Sequence, residues 1–105
     1  MLNKQFKLQY LPSFEDDLND IVDYIAFKLR NPYAASDFLD DVECAIKKRL
    51  NNPLSFEPYP STRARKHPYY RIYVKHYTIY YVVLDDIMEV RRVIYTPRDT
   101  PNQIE

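Results

Sequence analysis

The sequence predicts an α+β fold of order β-α-α-β-β-β, a helical hairpin packed on one face of an antiparallel sheet. Three observations carry this expectation. Two stretches between residues 14 and 50 repeat apolar residues at helical spacing, and an Asn-Pro pair at 31–32 divides them. Three stretches after Pro68 are rich in Tyr, Ile and Val and separated by short polar turns. The 105 residues leave room for one domain, 1–105, with a single modest core.

Lys4–Leu11 alternates, with Phe6, Leu8 and Tyr10 on one face and Lys7 and Gln9 on the other, as a half-buried strand does. Pro12 ends it. Ser13 reads as a helix N-cap, with Glu15, Asp16 and Asp17 in the first turn where the helix dipole favours negative charge. Phe14, Leu18, Ile21, Val22, Ile25 and Leu29 keep the i, i+3, i+4 spacing, so the helix is expected to run to about Arg30. Asn31 then caps a second helix, with Pro32 at its first position. Ala35, Phe38, Leu39, Val42, Ala45, Ile46 and Leu50 form its apolar stripe, and Lys47, Lys48 and Arg49 suit its C-terminal end. So short a link makes the two helices an antiparallel hairpin.

Asn51-Asn52-Pro53 stops the second helix, and the prolines up to Pro68 mark an extended loop. Tyr69–Lys75 places Tyr70, Ile72 and Val74 on one face and Tyr69, Arg71, Tyr73 and Lys75 on the other. Tyr77–Leu84 is apolar or aromatic on both faces, as a central strand is. Asp85-Asp86 is a tight turn, and Ile87–Tyr95 returns antiparallel. The tail Thr96–Glu105, with two prolines, is irregular.

Composition excludes several classes of function. Hydrophobic residues at 46% and charged residues at 29% suit a globular chain. There is no glycine, so there is neither a P-loop nor a dinucleotide fingerprint. One cysteine and two histidines do not supply a zinc site, so neither metal nor cofactor is expected. Cys44 has no internal disulfide partner, which points to the cytoplasm. The longest apolar run falls far short of the roughly 20 residues that span a bilayer, so no membrane is expected. Lys4 and Lys7 precede an alternating segment rather than the apolar core of a signal peptide.

Net charge is zero, but it is unevenly spread. Residues 1–62 carry 7 basic and 10 acidic residues, and residues 63–105 carry 8 basic and 5 acidic. Three groupings in the basic half are candidates for binding. Arg63, Arg65, Lys66 and His67 form a basic loop, which either binds phosphate by charge or is simply solvated. The Arg71–Tyr73–Lys75 row suits phosphates and stacked bases, an acidic amphipathic partner, or a plain polar strand face. Arg91-Arg92, with Tyr95 and Arg98, is the third. Arg92 shares parity with Val90 and Ile94, so it reads as a buried arginine that needs a carboxylate or carbonyl partner, or as a phosphate ligand set into the sheet. Cys44 falls on the charged side of the second helix, with no basic group placed to activate a thiolate.

From Lys4 to Asp99 the chain resembles the RelE/ParE superfamily of toxins from type II toxin–antitoxin systems. The segments that carry the resemblance occur in order: FKLQYLPSFEDDL, DIVDYIAFKLRNPYAASDFLDDV, NNPLSFEPYP, YYRIYVKHYTIYYVV and VRRVIYTPRD. The resemblance implies a growth-inhibiting toxin neutralised by a cognate antitoxin protein. In the ParE-like branch the target is DNA gyrase, which is poisoned without chemistry from the toxin's side chains. In the RelE-like branch the toxin is an mRNA endonuclease that acts on the ribosome without a metal. That branch implies catalytic roles for Arg71 on the second strand and Arg98 near the end. Under either branch, Arg65, Lys66, Tyr73, Lys75, Arg92 and Tyr95 from the three groupings above are the candidates for binding partner or RNA. Three positions of the RelE-like branch differ here. Tyr73 stands where another basic residue is common on the second strand, Thr78 stands where an arginine is usual on the third, and no His or Tyr follows Arg98.

Overall fold

The computed structural model describes residues 5–60 and 66–97. Its elements are β1 (Lys7–Tyr10), α1 (Pro12–Asp23), a π-helical turn (Tyr24–Lys28), α2 (Pro32–Leu50), β2 (Tyr70–Val74), β3 (Tyr77–Leu84) and β4 (Ile87–Tyr95). The element order and the α+β class are those expected from the sequence. The four strands lie in the order β1-β4-β3-β2. β2, β3 and β4 form the expected antiparallel meander, while β1 lies parallel to β4, with Tyr10 opposite Val90. The sheet is therefore mixed. Two hairpins return the chain to the direction of β2, and β4 ends beside β1 running the same way.

The start of α1 differs from expectation for a local reason. Pro12 has a fixed φ and no N–H to leave unsatisfied, so it takes the first helical position and Leu11 becomes the N-cap. Ser13 is thereby inside the helix. Its hydroxyl donates to the carbonyl of Arg91 at 2.7 Å instead of capping. The Leu11 N–H donates to Val90 at 2.9 Å. β1 stops at Tyr10, so β4 would present an open edge beyond Val90, and α1 covers that edge with polar side chains.

The first helix also ends earlier than its periodicity suggests. It passes into the π-helical turn after Asp23, and Arg30 closes the hairpin in the left-handed region at φ 53°. Asn31 caps α2 as expected, its Oδ1 accepting from the Ala34 N–H at 3.0 Å. Phe14 of α1 and Phe38, Val42 and Ile46 of α2 pack on Tyr70, Ile72, Val74, Ile79, Tyr81, Met88, Val90 and Val93 of the sheet. This is the core, and the inward faces expected of β2 and α2 supply it. Cys44 is exposed, on the solvent side of α2 as expected. No helix among the described residues is long and apolar enough to cross a membrane.

Both hairpin turns place a residue other than glycine at positive φ, Lys75 at 55° and Asp85 at 56°. Lys75 is thus a turn residue rather than the last residue of β2.

Candidate functional site

The sheet face away from the helices carries a row across three strands. Arg71 on β2 stands opposite Tyr80 on β3, and Tyr80 stands opposite Arg92 on β4. Alternation puts Arg71 and Tyr73 on this face because Tyr70, Ile72 and Val74 are buried in the core. Tyr59, from the proline loop, lies edge-on to Tyr80 at 5.8 Å, and Tyr69 does so at 6.3 Å. The loop is tied there by the Tyr59 N–H, which donates to the Tyr69 carbonyl at 2.6 Å. The Arg71 guanidinium sits 4.8 Å from the Tyr59 ring and 5.8 Å from that of Tyr73, in cation–π range. A shallow hollow between Tyr59, Tyr69, Tyr80, Arg92 and Ile94 opens beside them.

A bulge in β4 creates the second half of the face. Tyr80 pairs with Arg92 and Tyr81 with Val90, so Arg91 is an extra residue without a partner on β3. The bulge breaks the parity that made Arg92 look buried. Val90 and Val93 point into the core, while both arginines reach the outer face. Arg91 donates to Glu89 at 2.8 Å and to the Tyr69 hydroxyl at 3.3 Å. Burial disfavours the charge of Arg91, but these bonds to Tyr69 and Glu89 outweigh it and raise its pKa. Arg92 is half exposed and pairs with Asp17 of α1, whose hydrogen bonds raise its pKa also. The expected carboxylate partner is therefore present, and the expected burial of Arg92 is not. Asp17, read from the sequence as a first-turn charge, reaches across to β4 instead.

Arg71 is different from its two neighbours: among the described residues it makes no ion pair, and its guanidinium is held by aromatic rings alone. The Tyr80 hydroxyl beside it has a raised pKa, first because of burial and second because of Tyr59, against the lowering effect of Arg71.

Other residues expected at the site fall elsewhere. Lys75 leaves the Arg71–Tyr73 row, because its left-handed turn conformation sends the ammonium to Asp41 of α2, at 3.2 Å. Tyr95 lies at the opposite face, edge-on to Tyr77 at 5.4 Å, near Tyr24 and Leu29. Lys66 is exposed before β2. Arg65 and Arg98 lie outside the described residues. Thr78 is buried, and its hydroxyl shares a hydrogen bond with that of Thr96. Among the described residues, no group of three or more His, Cys, Asp or Glu side chains is placed to hold a metal ion.

Sequence reading missed Tyr59 and Tyr80. The excess of tyrosine, 11 of 105 residues, was the available signal. It gave no positions, because which tyrosines meet depends on strand register and on how the proline loop folds back.

The matching family model is that of the ParE toxin of the type II toxin–antitoxin system parDE, which covers residues 8–100. None of the curated proteins compared matches the chain. Among solved structures, a chain of the chromosomal ParDE toxin–antitoxin system from P. aeruginosa is similar, with 15% identity and a TM-score of 0.72. That alignment covers 89% of this chain and 98% of the other. A chain of the E. coli DinJ–YafQ toxin–antitoxin complex aligns with 14% identity and a TM-score of 0.54, over 87% of this chain and 92% of the other.

Proposed function

This chain belongs to the ParE toxin family of type II toxin–antitoxin systems, and from that membership we propose that it arrests growth by poisoning DNA gyrase until a cognate antitoxin binds it. The family match over residues 8–100 carries the proposal. It acts as one domain in the cytoplasm, where gyrase works and where exposed Cys44 stays reduced. The outer face, with Arg71, Tyr73, Tyr80 and Arg92, is its contact surface, and Lys66 extends the positive charge before β2. A partner there meets Arg71, which makes no ion pair among the described residues and is set among aromatic rings of the kind that dominate binding energy at interfaces.

The character of β3 supports this target over mRNA. In-line attack of a 2′-hydroxyl needs a base, an acid and cations around the phosphorane charge. At the third-strand position where the RelE-like branch uses arginine, Thr78 is buried and bonded to Thr96. Lys75 is turned away to Asp41, and Arg91 and Arg92 are neutralised by Glu89 and Asp17.

The test is to induce the toxin without antitoxin and follow DNA-damage signalling and translation separately. The expected result is damage signalling with intact mRNA, and a trapped gyrase–DNA cleavage complex with purified components. Rapid mRNA cleavage on ribosomes without gyrase trapping would overturn this reading in favour of the endonuclease.

A further inference from the structure

The tyrosine that lies over Arg71 comes from a loop with little packing of its own. Of residues 51–60, only Pro53 is buried, and Leu54 and Phe56 are about half exposed. Beneath the loop an open hollow of about 400 Å³ is lined by Ala45 and Lys48 of α2 and Ile72 of β2. Arg49, expected from the sequence to serve as a terminal charge of α2, bridges this gap. It makes no ion pair among the described residues. Its Nη1 donates instead to the Tyr81 hydroxyl at 2.9 Å and to the Arg71 carbonyl at 3.0 Å, and its guanidinium lies over the Phe56 ring at 3.5 Å. Because the Tyr81 hydroxyl accepts from Arg49, its own proton goes to the Pro53 carbonyl, at 2.7 Å. The loop thus runs from the helical side of the sheet at Pro53 to the outer face at Tyr59, where the Tyr59 N–H ties it to the Tyr69 carbonyl.

We propose that Arg49 is a positioning residue for the outer face. By covering Phe56 and holding Tyr81 on Pro53, its guanidinium sets the course of the loop and places the Tyr59 ring against the Arg71 guanidinium, 4.8 Å away. The same group fixes the Arg71 carbonyl, so Arg49 holds both members of that cation–π pair. This placement stands on the contacts themselves; its consequence for growth arrest rests on the reading of the outer face as the toxin's contact surface. Pre-organisation is the physical reason that the placement matters. Ordering an exposed loop at the moment of binding costs affinity, and a loop already fixed avoids that cost. Arginine suits the role because one planar fork donates to two acceptors and covers a ring at once, which a lysine ammonium does not.

The chain has no tryptophan, so Tyr59→Trp gives it a single indole that reports on the loop. Acrylamide quenching of that indole is compared with and without Arg49→Met and Arg49→Lys, and circular dichroism with melting checks that each variant is folded. Both substitutions are expected to raise quenching at least about twofold, as the loop leaves Arg71. Phe56→Ala breaks the same contact from its exposed side without touching the core, and is expected to give the same rise even where an Arg49 variant fails to fold. Unchanged quenching in Phe56→Ala and in the folded Arg49 variants overturns the proposal. In the toxin without the indole, Arg49→Lys and Tyr59→Ala are each expected to weaken gyrase trapping about tenfold, and the two together no more than either alone, because both undo one clamp. Losses that add would show that Arg49 acts on the fold rather than through Tyr59, which also overturns the proposal. Trapping by Tyr59→Ala equal to that of the unmodified toxin would overturn the reading of the outer face as the contact surface, while quenching still decides what positions Tyr59.

Discussion

Asp17 of α1 holds one edge of the Arg92 guanidinium of β4 with both carboxylate oxygens, accepting from Nε at 2.6 Å and from Nη2 at 3.0 Å, and the same carboxylate accepts the Val93 N–H at 3.1 Å. One helix side chain thereby closes the part of the β4 edge that β1 does not reach and holds an arginine at the outer face. The ion pair is half exposed and contributes little in water, about 1 kcal/mol or less. Leaving the Val93 N–H unsatisfied costs more, about 1–3 kcal/mol. Asp17→Ala is therefore expected to lower stability by about 1–3 kcal/mol in urea unfolding, with most of the loss surviving in high salt. Loss of the effect at 1 M salt would assign it to the ion pair instead.

Tyr81 is a buried tyrosine with its polar atom fully used. Its hydroxyl donates to the Pro53 carbonyl at 2.7 Å and accepts from Arg49 at 2.9 Å. Arg49 also donates to the Arg71 carbonyl at 3.0 Å and lies over the Phe56 ring at 3.5 Å. Tyr81→Phe keeps the packing but orphans Pro53 and loosens the loop that carries Tyr59. A loss of about 1–3 kcal/mol is expected in chemical denaturation. A change below about 0.5 kcal/mol, within the range of ordinary surface substitutions, would show that water replaces the hydroxyl.

Stability is expected to fall in alkali. Burial raises the phenol pKa of Tyr10, Tyr77, Tyr80 and Tyr81 above the ordinary value of 10.0; at Tyr81 it does so against the lowering effect of Arg49. Between the ordinary and the raised values the folded chain holds more protons than the unfolded one, so stability drops as pH rises through that window. Below it these groups leave stability independent of pH. Ultraviolet titration of tyrosinate should show these four ionising above their ordinary value, together with unfolding. Ionisation of these four at the ordinary value of 10.0 in the folded state would refute the burial argument.

Arg30→Gly should stabilise the protein. Arg30 sits at φ 53° after the π-helical turn, where a Cβ is strained and glycine is the usual residue. Relief of that strain is expected to add about 1 kcal/mol, less the entropy glycine gives the unfolded chain. A lower melting temperature would mean that the arginine side chain makes a contact worth more than the strain.

Three substitutions separate the surfaces in a toxicity assay. Arg71→Ala, on the outer face, is expected to relieve growth arrest. Lys75→Ala, whose partner Asp41 is on α2, should leave it intact and change stability by at most about 1 kcal/mol. Arg98→Ala divides the two targets. In a nuclease the arginine would stabilise the pentavalent phosphate, and its loss would cost about 3 kcal/mol, or about a hundredfold in rate. Under the gyrase reading, Arg98→Ala stays toxic with cellular mRNA intact.

The sequence by itself determined the element order, the buried faces of α2 and β2, the Asn31 cap and the Asp85-Asp86 turn. These depend on spacings within one segment, such as Phe38, Val42 and Ile46 along one helix face. The tertiary structure decided what crosses between segments. Ser13, which lies inside α1 because Pro12 starts the helix two residues earlier than expected, bonds β4. One unpaired residue, Arg91, reversed the facing of Arg92, because strand alternation has a period of two and any insertion inverts it. The left-handed turn at Lys75 took a cation out of the row that the sequence had given it. The return of the proline loop set Tyr59 against Tyr80 and Arg71. Such placements arise from register, bulges and loop closure, which are set by the packing of residues far apart in the chain and leave no periodic trace in it.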